Sequence, residues 1–234
     1  MWKRRELKDR AKLGLKRNYW KSVLVSLIFV MTVGTLGVMS GAGSSFGSFA
    51  ANSAAVSGSD YTFNLIPPQF FVGILIFALI IIAFAAVMAI AVVNPFAIGI
   101  YRYNLSAVRG TGNIADLGNG FDVNYKRNVK VMFFVDLYTV LWSMLFIIPG
   151  IVKSYEYKMI PYLLTDNPEM DKKEAFETSK AMMKGNKWRA FVLDLSFILW
   201  DILNALTLGI VGTFWLSPYK LLTAAALYDA LKEN

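Results

Sequence analysis

Hydrophobic positions in this chain fall into long blocks, not into an alternation of period two. Residues 22–50 contain no charged side chain, and neither do residues 70–93. About 20 apolar residues cross a hydrocarbon core as a helix. Lipid offers the backbone no hydrogen-bond partner, so only helices and closed barrels span it. Continuous apolar runs argue for helices. Further blocks begin after Lys130, at Trp188 and at Val211. The pattern predicts an all-α membrane protein, a six-segment helical bundle with both termini cytoplasmic.

A short motif recurs at the edges of these blocks. It reads Lys16-Arg17-Asn18, Lys126-Arg127-Asn128 and Lys184-Gly185-Asn186. An apolar stretch follows each, then a glycine turn at Leu36-Gly37-Val38, Pro149-Gly150-Ile151 or Leu208-Gly209-Ile210. The second arm carries Pro95-Phe96, Pro161-Tyr162 or Pro218-Tyr219. Glu6, Lys12, Lys16, Asn18 and Trp20 recur 168 positions later as Glu174, Lys180, Lys184, Asn186 and Trp188. One reading is a single membrane domain over 1–234 built from three parallel helical hairpins. It has a cytoplasmic amphipathic helix at 2–18, a hairpin at 19–109 with an outer loop at 41–69, a hairpin at 126–165, a second amphipathic helix at 171–185 and a hairpin at 186–231. The alternative is that basic and aromatic residues collect at any cytoplasmic interface.

Charge sets the orientation. Nine Lys and Arg precede the first block, whereas residues 41–69 hold none and only Asp60 as an acid. Cytoplasmic flanks carry the excess of Lys and Arg, which places the amino terminus inside and that loop outside. Basic residues around 102–130 and 172–189 are then cytoplasmic too, so the arm at 151–164 must return to the inner face despite Lys153, Glu156 and Lys158. Residues 5–16 put Leu7, Ala11 and Leu15 on one helical face among basic residues, the pattern of an interfacial helix meeting anionic headgroups. Candidate headgroup contacts are Trp2, Arg4, Arg5, Lys8, Lys12, Lys16, Trp20, Lys184 and Trp188. In the second amphipathic stretch, Asp171 with Glu174 has the form of a capping box. Ala175, Phe176, Ser179, Met182 and Met183 form its stripe, and Gly185 is its stop.

The composition agrees: 56% hydrophobic, 17% charged, mean hydropathy +0.48, against about a quarter charged in soluble domains. The net charge of +8 lies beside the apolar blocks, as membrane orientation requires, and predicts membrane lipids and a membrane-protein partner, not nucleic acid. Cysteine and histidine are both absent. That removes thiol chemistry and the commonest base and metal ligand near neutral pH.

Ionisable residues inside the apolar blocks are functional candidates by default. They are Asp136, Lys153, Glu156, Lys158, Asp194, Asp201 and Lys220. They line a polar path, or they neutralise one another and pin the helices together. Gly43-Ser44-Ser45-Phe46-Gly47 matches a nucleophile elbow but has no histidine and no strand-turn-helix setting. Gly110-Thr111-Gly112 with Ala115 lacks the βα unit of a dinucleotide site. No catalytic residue, cofactor or metal site is expected.

With Glu6-Leu7-Lys8 through Asn18-Tyr19-Trp20-Lys21, Pro161-Tyr162 through Asp166-Asn167-Pro168, and Glu174-Ala175 through Lys187-Trp188-Arg189 to Ser196-Phe197, the chain resembles a bacterial membrane family, domain of unknown function 975, along nearly its whole length. Ile148-Pro149-Gly150-Ile151 gives a weaker likeness to the membrane domain of glycerophosphodiester phosphodiesterases, without their catalytic barrel. The resemblance implies a polytopic cytoplasmic-membrane protein of a Gram-positive bacterium and no established activity. The expected role is a non-enzymatic accessory, scaffolding or lipid-interacting component. The alternatives are a small-solute or lipid transporter using the buried Asp and Lys, and an intramembrane hydrolase.

Overall fold

The structure, a computed structural model, describes residues 2–30, 68–122 and 124–233. The outer loop through residue 67, the first glycine turn and the Gly43–Gly47 motif lie outside the described residues, and the loop's expected last two residues, 68 and 69, are helical. Among those residues every regular element is helical. The chain divides into two compact units, residues 31–93 and residues 1–30 with 94–234.

The described part of the smaller unit is one helix, numbered α3 in chain order, over Pro68–Met88, followed by a widened π turn at Ala89–Val93. Its 21 residues carry no charge.

The larger unit begins with α1 (Arg4–Arg17) and α2 (Tyr19–Val30). It resumes with α4 (Asn94–Arg109), a 3-10 segment (Ile114–Phe121) and α5 (Tyr125–Leu145). Then come α6 (Ile147–Tyr157), α7 (Ile160–Asp166), α8 (Lys172–Met183), α9 (Lys187–Leu195), α10 (Ile198–Leu206) and α11 (Ser217–Lys232). Its centre is formed by α4, α7 and α11, where Tyr162 stacks on Tyr228 at 5.4 Å and meets Tyr101 edge-on at 5.0 Å. Pro95, Pro161 and Pro218 each occupy the second position of one of these helices. Pro161 is tolerated because its missing N–H belongs to the unpaired first turn of α7, whereas Pro95 and Pro218 come just after π turns that run into α4 and α11. A second π turn, Gly212–Leu216, ends just before Pro218 as the first ends just before Pro95. The 168-residue offset also relates the first residues of α1 and α8, Arg4 and Lys172.

The expected face of α1 is buried: Leu7, Ala11 and Leu15 are at most 5% exposed, packed on α11 and α4. Gly14 completes that contact, since a Cβ there would lie 3.2 Å from the Ala107 carbonyl oxygen. Helix α8 buries Ala175, Ser179 and Met183 and gives way to Gly185 at φ +75°. Asp171 is its N-cap residue, but its side chain makes no capping hydrogen bond.

Two boundaries differ from expectation. The second hairpin turns at Phe146, not at Pro149 and Gly150, which lie in the first turn of α6. Gly150 instead lets α6 approach α5, as a Cβ would fall 2.6 Å from Ser143 Oγ. The expected continuous segment from Trp188 is interrupted at Ser196 and Phe197, where Phe197 N–H bonds back only three residues, to Asp194. By length and composition α5 is long enough and apolar enough to cross a membrane, and only 17% of its apolar window is buried.

Candidate functional site

Helix α1 presents its polar face beside the start of α9, and the two border an open groove of about 870 Å³. Lys3, Arg4, Arg5, Lys8, Lys12 and Arg189 line it with one acid, Asp9. The groove therefore brings together Trp2, Arg4, Arg5, Lys8, Lys12 and Trp188 from the expected headgroup contacts. Lys16, Trp20 and Lys184 are exposed elsewhere.

Within the groove the two tryptophans have different roles. Trp188 is 72% exposed. Trp2 is 4% exposed, its indole N–H donates to Asn186 Oδ1 at 3.1 Å, and the Arg189 guanidinium lies 4.3 Å from its ring. Arg189 also donates to the Trp2 carbonyl. Trp2 therefore acts as a latch that fastens the amino terminus to α9, with little surface left for a headgroup. Lys8 Nζ lies 4.4 Å from the Phe197 ring centre. Burial, then the neighbouring Arg4 and Lys12 cations, hold its ammonium below the usual lysine range. Cations that crowd one another with a single nearby acid have electrostatic energy to gain from an anion.

Three of the four acids inside the apolar blocks are ion-paired, and the fourth, Asp136, is hydrogen-bonded. Lys158 Nζ is 2.5 Å from Asp194 Oδ2, which also accepts the Tyr155 hydroxyl at 2.8 Å. Lys220 reaches both Asp201 oxygens at 2.5 and 2.7 Å. Glu156, 3% exposed, is held by Lys153 at 2.6 Å and Lys187 at 3.1 Å. Asp136 accepts from Asn94 Nδ2 at 2.8 Å. The seven candidates thus form four separate clusters, not one network. Asp194 and Lys220 line a common cavity of about 270 Å³ with Lys158 and Tyr162.

One cluster escaped the sequence. Arg109 at the end of α4 grips both Asp166 oxygens at 2.8 and 2.9 Å and reaches Asp229 at 2.7 Å. Lys232 at 2.7 Å and the Tyr228 hydroxyl at 3.0 Å also donate to Asp166. Burial raises the Asp166 carboxyl, but the bonds from Arg109 and Lys232 outweigh it and hold the group well below the usual carboxylate range. This clamp ties together the ends of α4, α7 and α11. Its partners lie 57 to 120 residues apart, and only the Asp166-Asn167-Pro168 motif marked any of them. Among the described residues no group of three or more acids could hold a metal ion.

The sequence profile of a family described as protein of unknown function (DUF975) matches residues 60–234, and the chain belongs to that family. The opening segment, 6–21, lies outside the matched region. No curated protein matches the chain significantly, and no solved structure does. The likeness to glycerophosphodiester phosphodiesterases finds no support in these comparisons.

Proposed function

We propose that this DUF975 member is a non-enzymatic, multi-pass protein of the cytoplasmic membrane that engages anionic lipid headgroups through the α1–α9 groove. The carrying observation is the convergence there of six cations, Lys3 and five from α1 and α9, with one acid and an exposed Trp188. Each cation near an anionic leaflet contributes about 1 kcal/mol, so such a groove concentrates the attraction in one place.

The membrane reading draws support from the surface of the larger unit. Met144, Phe146, Ile148, Leu199, Leu206 and Leu208 are 66–94% exposed. Apolar surface on that scale marks contact with lipid or another protein. The core helix of a soluble domain would be mostly buried, whereas α5 is mostly uncovered. In this arrangement the Arg109 clamp and the groove lie on the cytoplasmic side, and Leu208 at the outer tip of the third hairpin. The uncovered apolar face also serves a membrane-protein partner.

The test uses the full chain reconstituted in bilayers of mixed lipids. Brominated phosphatidylglycerol should quench the Trp188-dependent fluorescence, taken as wild type minus Trp188→Phe, severalfold more than brominated phosphatidylcholine at the same mole fraction. Raising salt should reduce the difference. Equal quenching by the two lipids would remove the groove from the account.

A further inference from the structure

The 270 Å³ cavity is distinct from the groove. Lys158, Asp194, Lys220 and Tyr162 supply polar groups to its lining, and Leu193, Phe197 and Leu221 are among its apolar residues. Tyr162 is 1% exposed, yet its hydroxyl finds no hydrogen-bond partner among the described residues. A buried polar atom left unpaired is costly and calls for an explanation such as a bound group.

Not every donor in this lining is spent. Each lysine ammonium has three N–H groups. Lys158 spends one on Asp194, and Lys220 spends two on Asp201. Both lysines therefore keep a donor after their ion pairs are made, and the Tyr162 hydroxyl is a further donor. An oxygen-rich anion matches such a set, because its oxygens accept several hydrogen bonds at once. Phe197 immediately precedes α10, whose Ile198, Leu199 and Ile202 are exposed. A lining that combines free donors with apolar residues suits the head of an amphiphile.

Phe197 joins this cavity to the groove. Its ring lies 4.4 Å from Lys8 Nζ on the groove side and 5.8 Å from Lys220 Nζ on the cavity side. One buried aromatic ring therefore separates the lysine of the cytoplasmic groove from that of the inner cavity.

We infer that the cavity between α4, α7, α9 and α11 is a second binding site. It takes the phosphate or carboxylate oxyanion of an acidic amphiphile on Lys158, Lys220 and the Tyr162 hydroxyl. The inference rests on the membrane-spanning reading but not on lipid binding in the groove.

The experiment is a calorimetric titration of the full chain in a non-ionic detergent. It is done in an Arg4→Glu/Arg5→Glu/Lys8→Glu background, so that the groove is silent. The titrants are a short-chain phosphatidylglycerol, the matching phosphatidylcholine, hexanoate and inorganic phosphate. The acidic amphiphiles should bind and phosphatidylcholine should not. Phosphate binding as tightly as the lipid would identify the source as a free oxyanion held by the same donors. Tyr162→Phe removes only the unpaired hydroxyl, so the fold is preserved, and it should weaken binding roughly tenfold. The double variant Lys158→Met/Asp194→Leu, which replaces one ion pair by apolar side chains of similar size, should weaken it further. Binding of none of the anions, or equal affinity in Tyr162→Phe and its parent, would overturn the inference. Failure of Trp188 quenching in bilayers would remove the groove while leaving this titration intact.

Discussion

Replacing Arg109 by methionine tests how the larger unit is held at its charged end. Methionine reproduces the aliphatic stem of arginine, so the change removes the guanidinium and little of the stem's packing. Asp166 would keep Lys232 and Tyr228, while Asp229, whose side chain is 12% exposed, would lose the cation that grips it. Breaking a fully buried ion pair from one side costs about 3–5 kcal/mol, and exposed pairs contribute about 0–1 kcal/mol. The Arg109 side chain is 41% exposed against 10% for Asp166, so solvent screens part of the interaction. The expected loss is about 2–3 kcal/mol. For a chain of this size that lowers the thermal midpoint by roughly 4–12 °C, read by unfolding of the purified protein in detergent. Arg109→Lys keeps the charge but not the two-pronged grip, and should cost about 1 kcal/mol. Adding Asp229→Asn to Arg109→Met should recover part of the loss, because the orphaned charge is removed with its partner. A shift under about 1 °C for Arg109→Met, or equal shifts for Met and Lys, would refute the clamp.

Because the Asp166 carboxyl is held below its unfolded value, near 3.9, its contribution is complete above that pH and is lost as pH falls toward the folded value. Asp166→Asn should therefore flatten the loss of stability below about pH 4 and leave the neutral range parallel to wild type, as an acid titration of the midpoint would read. Gly120 lets the 3-10 segment meet α4, where a Cβ would fall 1.7 Å from the Pro95 carbonyl oxygen, while Gly118 has nothing within 4 Å. Gly120→Ala should cost about 2 kcal/mol or more and Gly118→Ala almost nothing, compared by thermal unfolding. Leu208 is 94% exposed and held at φ 51°, a left-handed conformation that costs a branched side chain about 1–2 kcal/mol. Leu208→Asn should raise the midpoint by roughly 1–4 °C, and an unchanged or lower midpoint would count against strain at that turn.

What the sequence made legible was local. Leu7, Ala11 and Leu15 recur at helical spacing, so the buried face of α1 could be read before its partner was known. The same holds for the α8 stripe, and Gly209 at φ +90° marks the last turn as its sequence suggested. Phe146 was hidden because Pro149-Gly150 has the composition of a turn, yet proline also fits the first turn of a helix. In the sequence Lys187 is one more cation of a basic segment, and only the approach of α6 to α9 puts it on Glu156. The Arg109 clamp and the Trp2 latch join residues 57 to 187 positions apart, and hydrophobic periodicity carries no information at that range.

The most direct test of the headgroup account is native mass spectrometry of the full chain released from equimolar phosphatidylglycerol and phosphatidylcholine. The wild type should retain phosphatidylglycerol preferentially, and Arg4→Glu/Arg5→Glu/Lys8→Glu, which leaves the Trp2 latch and the buried face of α1 in place, should lose most of that preference. Equal retention of the two lipids by the wild type, or an undiminished preference in the triple variant, would contradict it.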